Sequence, residues 1–177
     1  MKRLFITVFI LGLIFFQACN KKDDPTCTQE VTAEKLASVD QTRLTSDIQA
    51  IDNYLATNNI SGVEYEPNET NGVRYVISSL GTGETISCLE HKVNVKYKGN
   101  LLSNPDLTPF DEKTTGISFT LSNLILGWQL VLPLIPSGSK VTLYIPSGYG
   151  YGVNGAAGGK IPSNANLIFE IELIGVN

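Results

Sequence analysis

Histidine is almost missing from this chain. There is one, His91, beside one methionine, one tryptophan and three cysteines in 177 residues. A catalytic triad needs a base held against a nucleophile. No such partner stands near His91, and Ser137 and Ser139 flank Gly138 with nothing to activate them. His91 is therefore expected on the surface, at the start of a strand. A zinc site needs several sulfur or imidazole ligands at short spacing. One histidine and cysteines at positions 19, 27 and 88 do not supply them, so neither a metal nor a cofactor is expected. Long apolar runs are also scarce. The one present, Leu4 to Phe16, has 13 residues behind Lys2 and Arg3. It is shorter than the roughly 20 residues of a spanning helix and suits the hydrophobic region of a secretory signal.

That run ends at Gln17-Ala18-Cys19. A small residue before a cysteine in this place resembles a bacterial lipoprotein signal. The resemblance implies that residues 1–18 are removed and that Cys19 is lipidated, which ties the protein to a membrane through buried acyl chains. Residues 19–29 are polar and charged and are expected to form a tether. The Lys-Asp-Asp run within them resembles the export tags of surface lipoproteins of Bacteroidetes-like bacteria. The expected location is the cell envelope, on the periplasmic or surface face of the outer membrane. Without residues 1–18 the chain keeps 11 basic and 17 acidic side chains, a balance of −6. An acidic surface argues against nucleic acid as a partner. In an oxidising compartment Cys27 and Cys88 either pair, stapling the extension to the main domain, or stay free; both remain open.

Residues 30–59 are expected to form a helical extension. Leu44, Ile48, Ile51 and Leu55 fall at i, i+4, i+7 and i+11, one face of a helix, with Val39 close to the stripe. Such a face either packs on the domain or dimerises. Gly62, Pro67, Asn68 and Asn71-Gly72 mark residues 60–71 as a connecting loop. From Val73 the pattern changes to period two: Val73, Tyr75, Ile77; Val93, Val95, Tyr97; Val141, Leu143, Ile145; Leu167, Phe169, Ile171, Leu173. Phe119 and Leu121 belong to another short strand. Gly99-Asn100 reads as a turn, and residues 100–116 as an irregular flap. The helical candidate in this half runs from Gly127 to Leu132 and is closed by Pro133. Several strands with one short helix predict an α+β domain over residues 72–177.

Gly150-Tyr-Gly-Val-Asn-Gly155 matches the glycine pattern of dinucleotide-binding turns. No helix follows it, so no helix N-terminus is there to hold a pyrophosphate, and the match is set aside. Gly159-Lys160 lacks the neighbours of a phosphate-binding loop. The aromatic and aliphatic residues remain. Lys96-Tyr97-Lys98-Gly99, Phe110-Asp111, Leu124-Ile125-Leu126-Gly127-Trp128, Tyr149-Gly150-Tyr151-Gly152 and Ile161-Pro162 followed by Phe169 occur in the order of the FKBP-type peptidyl-prolyl cis-trans isomerases. The resemblance covers about residues 72–177. It implies a curved antiparallel sheet of about five strands wrapped on one short helix.

It further implies a pocket with Trp128 as floor and Phe110, Phe119, Leu124, Ile125, Ile161 and Phe169 as walls. Tyr97, Asp111 and Tyr151 would be its polar edge and catalytic groups, Tyr151 donating a hydrogen bond to a ligand carbonyl. The implied partners are proline-containing polypeptides and macrolide ligands of the same pocket. The chain departs from the family pattern in a longer stretch from Leu101 to Pro109, in Ile117 where an aromatic is common, and in the apolar Gln129-Leu-Val-Leu-Pro133. Two functions follow: an isomerase assisting exported proteins to fold, or a non-catalytic module that holds unfolded or proline-containing segments in the same pocket. A third is a structural lipoprotein dimerised through residues 30–57.

Overall fold

The computed structural model describes residues 27–65 and 72–177. The signal peptide expected at 1–18, lipidation at Cys19, the tether up to residue 26 and the turn residues Pro67, Asn68 and Asn71 lie outside the described residues. The core of the fold is one antiparallel sheet of six strands. In chain order these are β1 (Val63–Tyr65), β2 (Arg74–Ser79), β3 (Lys92–Leu101), β4 (Asp111–Thr120), β5 (Lys140–Ile145) and β6 (Leu167–Val176). Their order across the sheet is β1-β2-β5-β6-β3-β4. Three helices accompany them: α1 (Ala33–Ala37), α2 (Gln41–Thr57) and α3 (Leu126–Val131).

The register explains the two faces. Leu143 pairs with Phe169, which pairs with Gly99, while Val141 pairs with Ile171, which pairs with Tyr97. These rows point inward, where Val141, Leu143, Ile145, Leu167, Phe169, Ile171 and Leu173 are buried with Trp128, Leu130 and Val131 of α3. The intervening rows point outward. Arg74, Tyr144, Ile168 and Asn100 lie opposite one another, as do Lys140, Glu172 and Lys96. The first outward row is covered by α2: Ile51 and Leu55 form a second cluster with Tyr144, Ile168 and Leu102. The other row stays in water, with Glu172 between Lys96 (3.6 Å) and Lys140 (3.8 Å).

The extension is therefore a third layer. Burying Ile51, Leu55 and Leu44 stabilises by about 1.5–3 kcal/mol for each side chain. Its apolar face is occupied by the chain's own sheet, which is the packing reading rather than the dimerising one. The helix expected over 30–59 is two helices. Ser38 donates its hydroxyl hydrogen to the Lys35 carbonyl (2.7 Å), and the Asp40 carboxylate accepts from the Arg43 N–H (3.0 Å). These short polar side chains offer the backbone a local alternative to continuing the helix, and Asp40 then caps α2. Val39, between the two, packs over Gly148.

Four further expectations need correction. The loop at 60–71 contains β1, which pairs with β2. Gly99-Asn100 is not a turn but lies inside β3, and the irregular stretch is only the segment between β3 and β4, because residues 111–116 belong to β4. Leu121 begins a 3-10 turn after β4 instead of continuing it. His91 is half-buried, with Nδ1 enclosed and without a partner, rather than a surface residue. As expected, α3 ends ahead of Pro133, at Val131, and Pro133 sits in the 3-10 turn that follows, Leu132–Leu134.

Cys27 and Cys88 are joined as a disulfide, with their Cα atoms 5.3 Å apart and a sequence separation of 61. The same junction carries a hydrogen bond from the Leu89 N–H to the Thr28 carbonyl (2.8 Å) and one from the Thr28 N–H to Glu90 (2.8 Å). The latter lowers the Glu90 pKa, because a backbone donor favours the carboxylate. Closing a loop of this length removes conformational entropy from the unfolded chain. Cys27→Ala should therefore cost about 2–4 kcal/mol, read from guanidinium unfolding against wild type with and without reductant. Equal midpoints in all cases would show that the staple contributes nothing.

Candidate functional site

Trp128 sits in the second half of the first turn of α3 and is 4% exposed. Its indole meets two rings edge-on: Tyr97 from β3, at 5.4 Å between centroids and 80°, and Phe169 from β6, at 5.2 Å and 86°. Phe110 packs on Phe169 in the same manner, at 5.5 Å and 83°. Edge-to-face contacts suit the ring quadrupoles and add about 0.5–1.5 kcal/mol each beyond area burial. Gly99 makes the arrangement possible. A Cβ there would stand 2.6 Å from Phe110 and 2.7 Å from Phe169.

Around this floor the structure gathers the residues named from the sequence. Phe110 and Ile161 are buried in the same cluster as Trp128 and Phe169, and Tyr97, Phe119, Leu124 and Ile125 are half-buried against it. Ile117 also packs there, at the edge. Tyr151 is the most open member, 37% exposed. The indole is nearly covered, so a ligand would rest mainly on the half-buried walls.

The polar groups are few and fixed. The Tyr97 hydroxyl donates to Asp111 Oδ2 at 2.6 Å. The other carboxylate oxygen lies 3.9 Å from Lys113 Nζ. Burial pushes the Tyr97 phenol well up from its ordinary value, with the Asp111 hydrogen bond and charge adding to the shift. Burial also raises the Tyr151 phenol, and the negative charge of Asp111 raises it further. Among the described residues the buried Trp128 Nε1 has no hydrogen-bond acceptor. An orphaned buried donor costs about 1–3 kcal/mol, so its persistence at a site points to a ligand or a water.

Gln129 is a residue that sequence reading passed over. It is buried, and Nε2 donates to the carbonyls of Ser122 (3.1 Å) and Leu124 (2.6 Å). It thereby fixes the turn that presents Leu124 and Ile125. A glutamine beside a tryptophan carries no signal of this in sequence. The histidine, serines and cysteines take no part in the site. Among the described residues no group of acidic, histidine or cysteine side chains is placed to hold a metal.

The raised phenols carry a pH consequence. A tyrosine whose folded pKa lies above its unfolded value contributes stability that is intact below the unfolded pKa, about 10, and is lost as pH rises beyond it. The unfolding midpoint should fall above about pH 10. Tyr97→Phe should reduce that fall without abolishing it, because burial also raises Tyr54, Tyr144 and Tyr151. An alkaline limb identical in wild type and Tyr97→Phe would contradict the assigned burial.

Comparison with known proteins gives a consistent result. Residues 83–174 match the sequence profile of the FKBP-type peptidyl-prolyl cis-trans isomerases. The isomerase FkpA of Buchnera aphidicola (Schizaphis graminum) is 37% identical over 107 residues, 60% of this chain and 42% of the relative. FkpA of Escherichia coli is 31% identical over 146 residues, 77% of this chain and 53% of the relative. The chain thus spans about half the length of these curated relatives. A peptidyl-prolyl isomerase structure from Pseudomonas syringae pv. tomato superposes with a TM-score of 0.62 at 34% identity, over 75% of this chain and 95% of that one. Sheet, aromatic floor and sequence profile agree, and the chain belongs to the FKBP-type peptidyl-prolyl cis-trans isomerase family.

Proposed function

We propose that this protein is a peptidyl-prolyl cis-trans isomerase acting on exported polypeptides. The observation that carries the reading is the Trp128 floor, with its free indole N–H, framed by Tyr97 and Phe169 and edged by the Tyr97–Asp111 hydrogen bond.

The chemistry asks little of acids and bases. Resonance holds a peptide bond flat with a barrier of about 18–20 kcal/mol. Before proline the cis form lies only about 0.5–1 kcal/mol above trans, so the obstacle is kinetic. Uncatalysed exchange takes on the order of 10–100 s. A catalyst must favour the twisted amide over the planar one. Twisting removes the amide's charge separation, so a pocket of aromatic and aliphatic walls penalises the planar form more than the twisted form. In this reading Trp128, Phe119, Ile125 and Phe169 enclose the pyrrolidine ring. Tyr151 and the Ile125 N–H orient the flanking carbonyls, and Asp111 with Tyr97 forms the polar edge. Lowering the barrier by about 4 kcal/mol would accelerate exchange roughly a thousandfold.

A binding module without turnover is the second reading, favoured by the 4% exposure of Trp128. A protease-coupled assay on a proline peptide separates the two, with a macrolide pocket ligand as inhibitor. Turnover that the macrolide blocks supports the isomerase; macrolide binding without turnover supports the module. Tyr151→Phe and Asp111→Val should each lower kcat/KM by about three- to tenfold, the worth of one hydrogen bond. Unchanged turnover in both variants would refute the assigned roles.

The proposed setting is the cell envelope, with a lipid anchor at Cys19. Its support is the apolar run from Leu4 to Phe16 followed by Gln17-Ala18-Cys19. Mass spectrometry of the mature amino terminus should find a diacylglyceryl group on Cys19. A mature chain starting elsewhere, without lipid, would overturn the anchor and leave the isomerase reading untouched.

A further inference from the structure

We propose that α2 is a positioning element for the flap that carries Tyr151, acting through a clasp of the exposed Arg43 and the buried Asp47 on both ends of that flap. The effect on turnover rests on the isomerase reading; the effect on the flap rests on the clasp alone.

The flap runs from Ser147 to Asn164 and has little stiffness of its own. It contains three separate 3-10 turns, at Ser147–Tyr149, Gly152–Asn154 and Ala157–Gly159. Gly152, Gly155, Gly158 and Gly159 all have positive φ, between 56° and 91°. Glycines free to take such angles are also free to leave them. Yet Tyr151 must stand within reach of Tyr97 and Asp111 to orient a carbonyl, and a misplacement of 1 Å in such a group can cost about a hundredfold in rate. Tyr149 and Ile161 anchor the flap in the core, and its two ends are held from outside as well.

Both ends are held from α2. At the start, the Ser147 N–H and hydroxyl both donate to Asp47 Oδ2, at 3.0 Å and 2.5 Å, and the N–H is shared with Asn166 Oδ1 at 2.9 Å. At the finish, Arg43 Nη2 donates to the Asn164 carbonyl at 2.9 Å. One ion pair joins the two grips: Arg43 Nε lies 2.9 Å from Asp47 Oδ1. Asn164 closes the loop on itself by donating its N–H to the Gly152 carbonyl at 2.8 Å, directly after Tyr151. Val39 adds a wedge over Gly148. Asp47 is 1% exposed, on the buried face of α2 beside Leu44 and Ile51. A buried carboxylate is costly unless fully paired, so the pairing is stringent. Arg43 and Asp47 both fall outside the segment that matches the family profile, residues 83–174. The clasp is thus an addition of the extension to a site built by the domain.

The same helix supplies its own control. Asp52 pairs bidentately with Arg74 of β2, at 2.8 and 3.1 Å, and so ties α2 to the sheet away from the flap. Removing Asp52 loosens the helix without touching the clasp. The test compares Asp47→Ala, Asp47→Asn and Asp52→Ala in the full chain, by amide hydrogen exchange and by proline-peptide turnover. In Asp47→Ala the amides of Gly150, Gly155 and Asn164 should exchange about tenfold faster or more, while those of β6 are unchanged. kcat/KM should fall by about ten- to hundredfold, in excess of any fall in thermal midpoint. Asp47→Asn, which keeps one acceptor for Ser147, should recover part of both. Asp52→Ala should leave flap exchange and kcat/KM at the wild-type level. Adding Ser147→Ala to Asp47→Ala should cost less than Ser147→Ala alone, as coupled groups do. Unchanged flap exchange in Asp47→Ala, or equal effects of Asp47→Ala and Asp52→Ala, would overturn the proposal. Absence of turnover in the wild-type chain would sink the isomerase reading, and the exchange measurement would still decide the clasp.

Discussion

A missing side chain at position 99 sets the geometry of the whole inner face. Gly99 sits mid-strand between Asp111 of β4 and Phe169 of β6, and Phe110 and Phe169 both press into the space a Cβ would occupy. That close approach lets Phe169 turn its edge to Trp128 and Phe110 turn its edge to Phe169. Tyr97, two residues earlier on the same strand, meets the indole beside Phe169, the two rings 6.2 Å apart. From that position among the rings the Tyr97 hydroxyl donates to Asp111. A single strand position therefore links core packing to the polar rim. The interior is packed too tightly for such a chain of contacts to adjust by small displacements.

The sheet also separates two kinds of stabilisation by register. Its inner rows carry the aromatic floor, and its outer rows divide between an apolar half under α2 and a charged half in water. The Lys96–Glu172–Lys140 ladder and the Lys98–Glu170 pair are solvent-exposed, at 3.6–3.8 Å, and contribute little net stability. What they do is keep that half of the face soluble. The apolar half needs a lid, and α2 provides it with Ile51 and Leu55 against Tyr144 and Ile168. Because β5 runs straight from that covered patch into the segment that carries Tyr151, a helix that buries Tyr144 and Ile168 lies against the start of that segment as well.

The parts legible in the sequence were those set by short spacings. Leu124 to Trp128 and Tyr149 to Gly152 are each short, local motifs, and Leu124, Ile125, Trp128 and Tyr149 do pack in one cluster. Period-two patterning located most strands. The failures came where a residue's meaning depends on a distant partner. Gly99-Asn100 has turn chemistry locally. Its place inside β3 is decided by Phe110 and Phe169, and by the Asn100 amide donating to the Leu107 carbonyl at 2.9 Å. Polar Thr114 and Thr115 read as loop, yet they form β4 at an edge of the sheet, where one face is free to be hydrophilic. Asp47 falls on the helix face marked by Leu44, Ile51 and Leu55. A carboxylate on an apolar stripe was the available signal for a buried pairing, but its Ser147 partner lies 100 positions away. The disulfide depended on compartment and distance, and composition alone left it undecided.

The ionisation states of the site agree with a reaction that moves no proton. A group that must exchange protons works best with a pKa near ambient pH. Tyr97 and Tyr151 are pushed the other way, upward, so both stay protonated across the physiological range, and Tyr97 donates to Asp111. The cause of the shift is burial against the same rings that would hold a pyrrolidine. Apolar walls that disfavour a phenolate disfavour the charge-separated planar amide for the same electrostatic reason. Asp111 completes the arrangement from the exposed rim: it orients Tyr97 and holds a negative field beside Tyr151. Burial against the aromatic cluster thus keeps the tyrosines protonated, and under the proposed function the same apolar walls would penalise the planar amide, two effects of one physical cause.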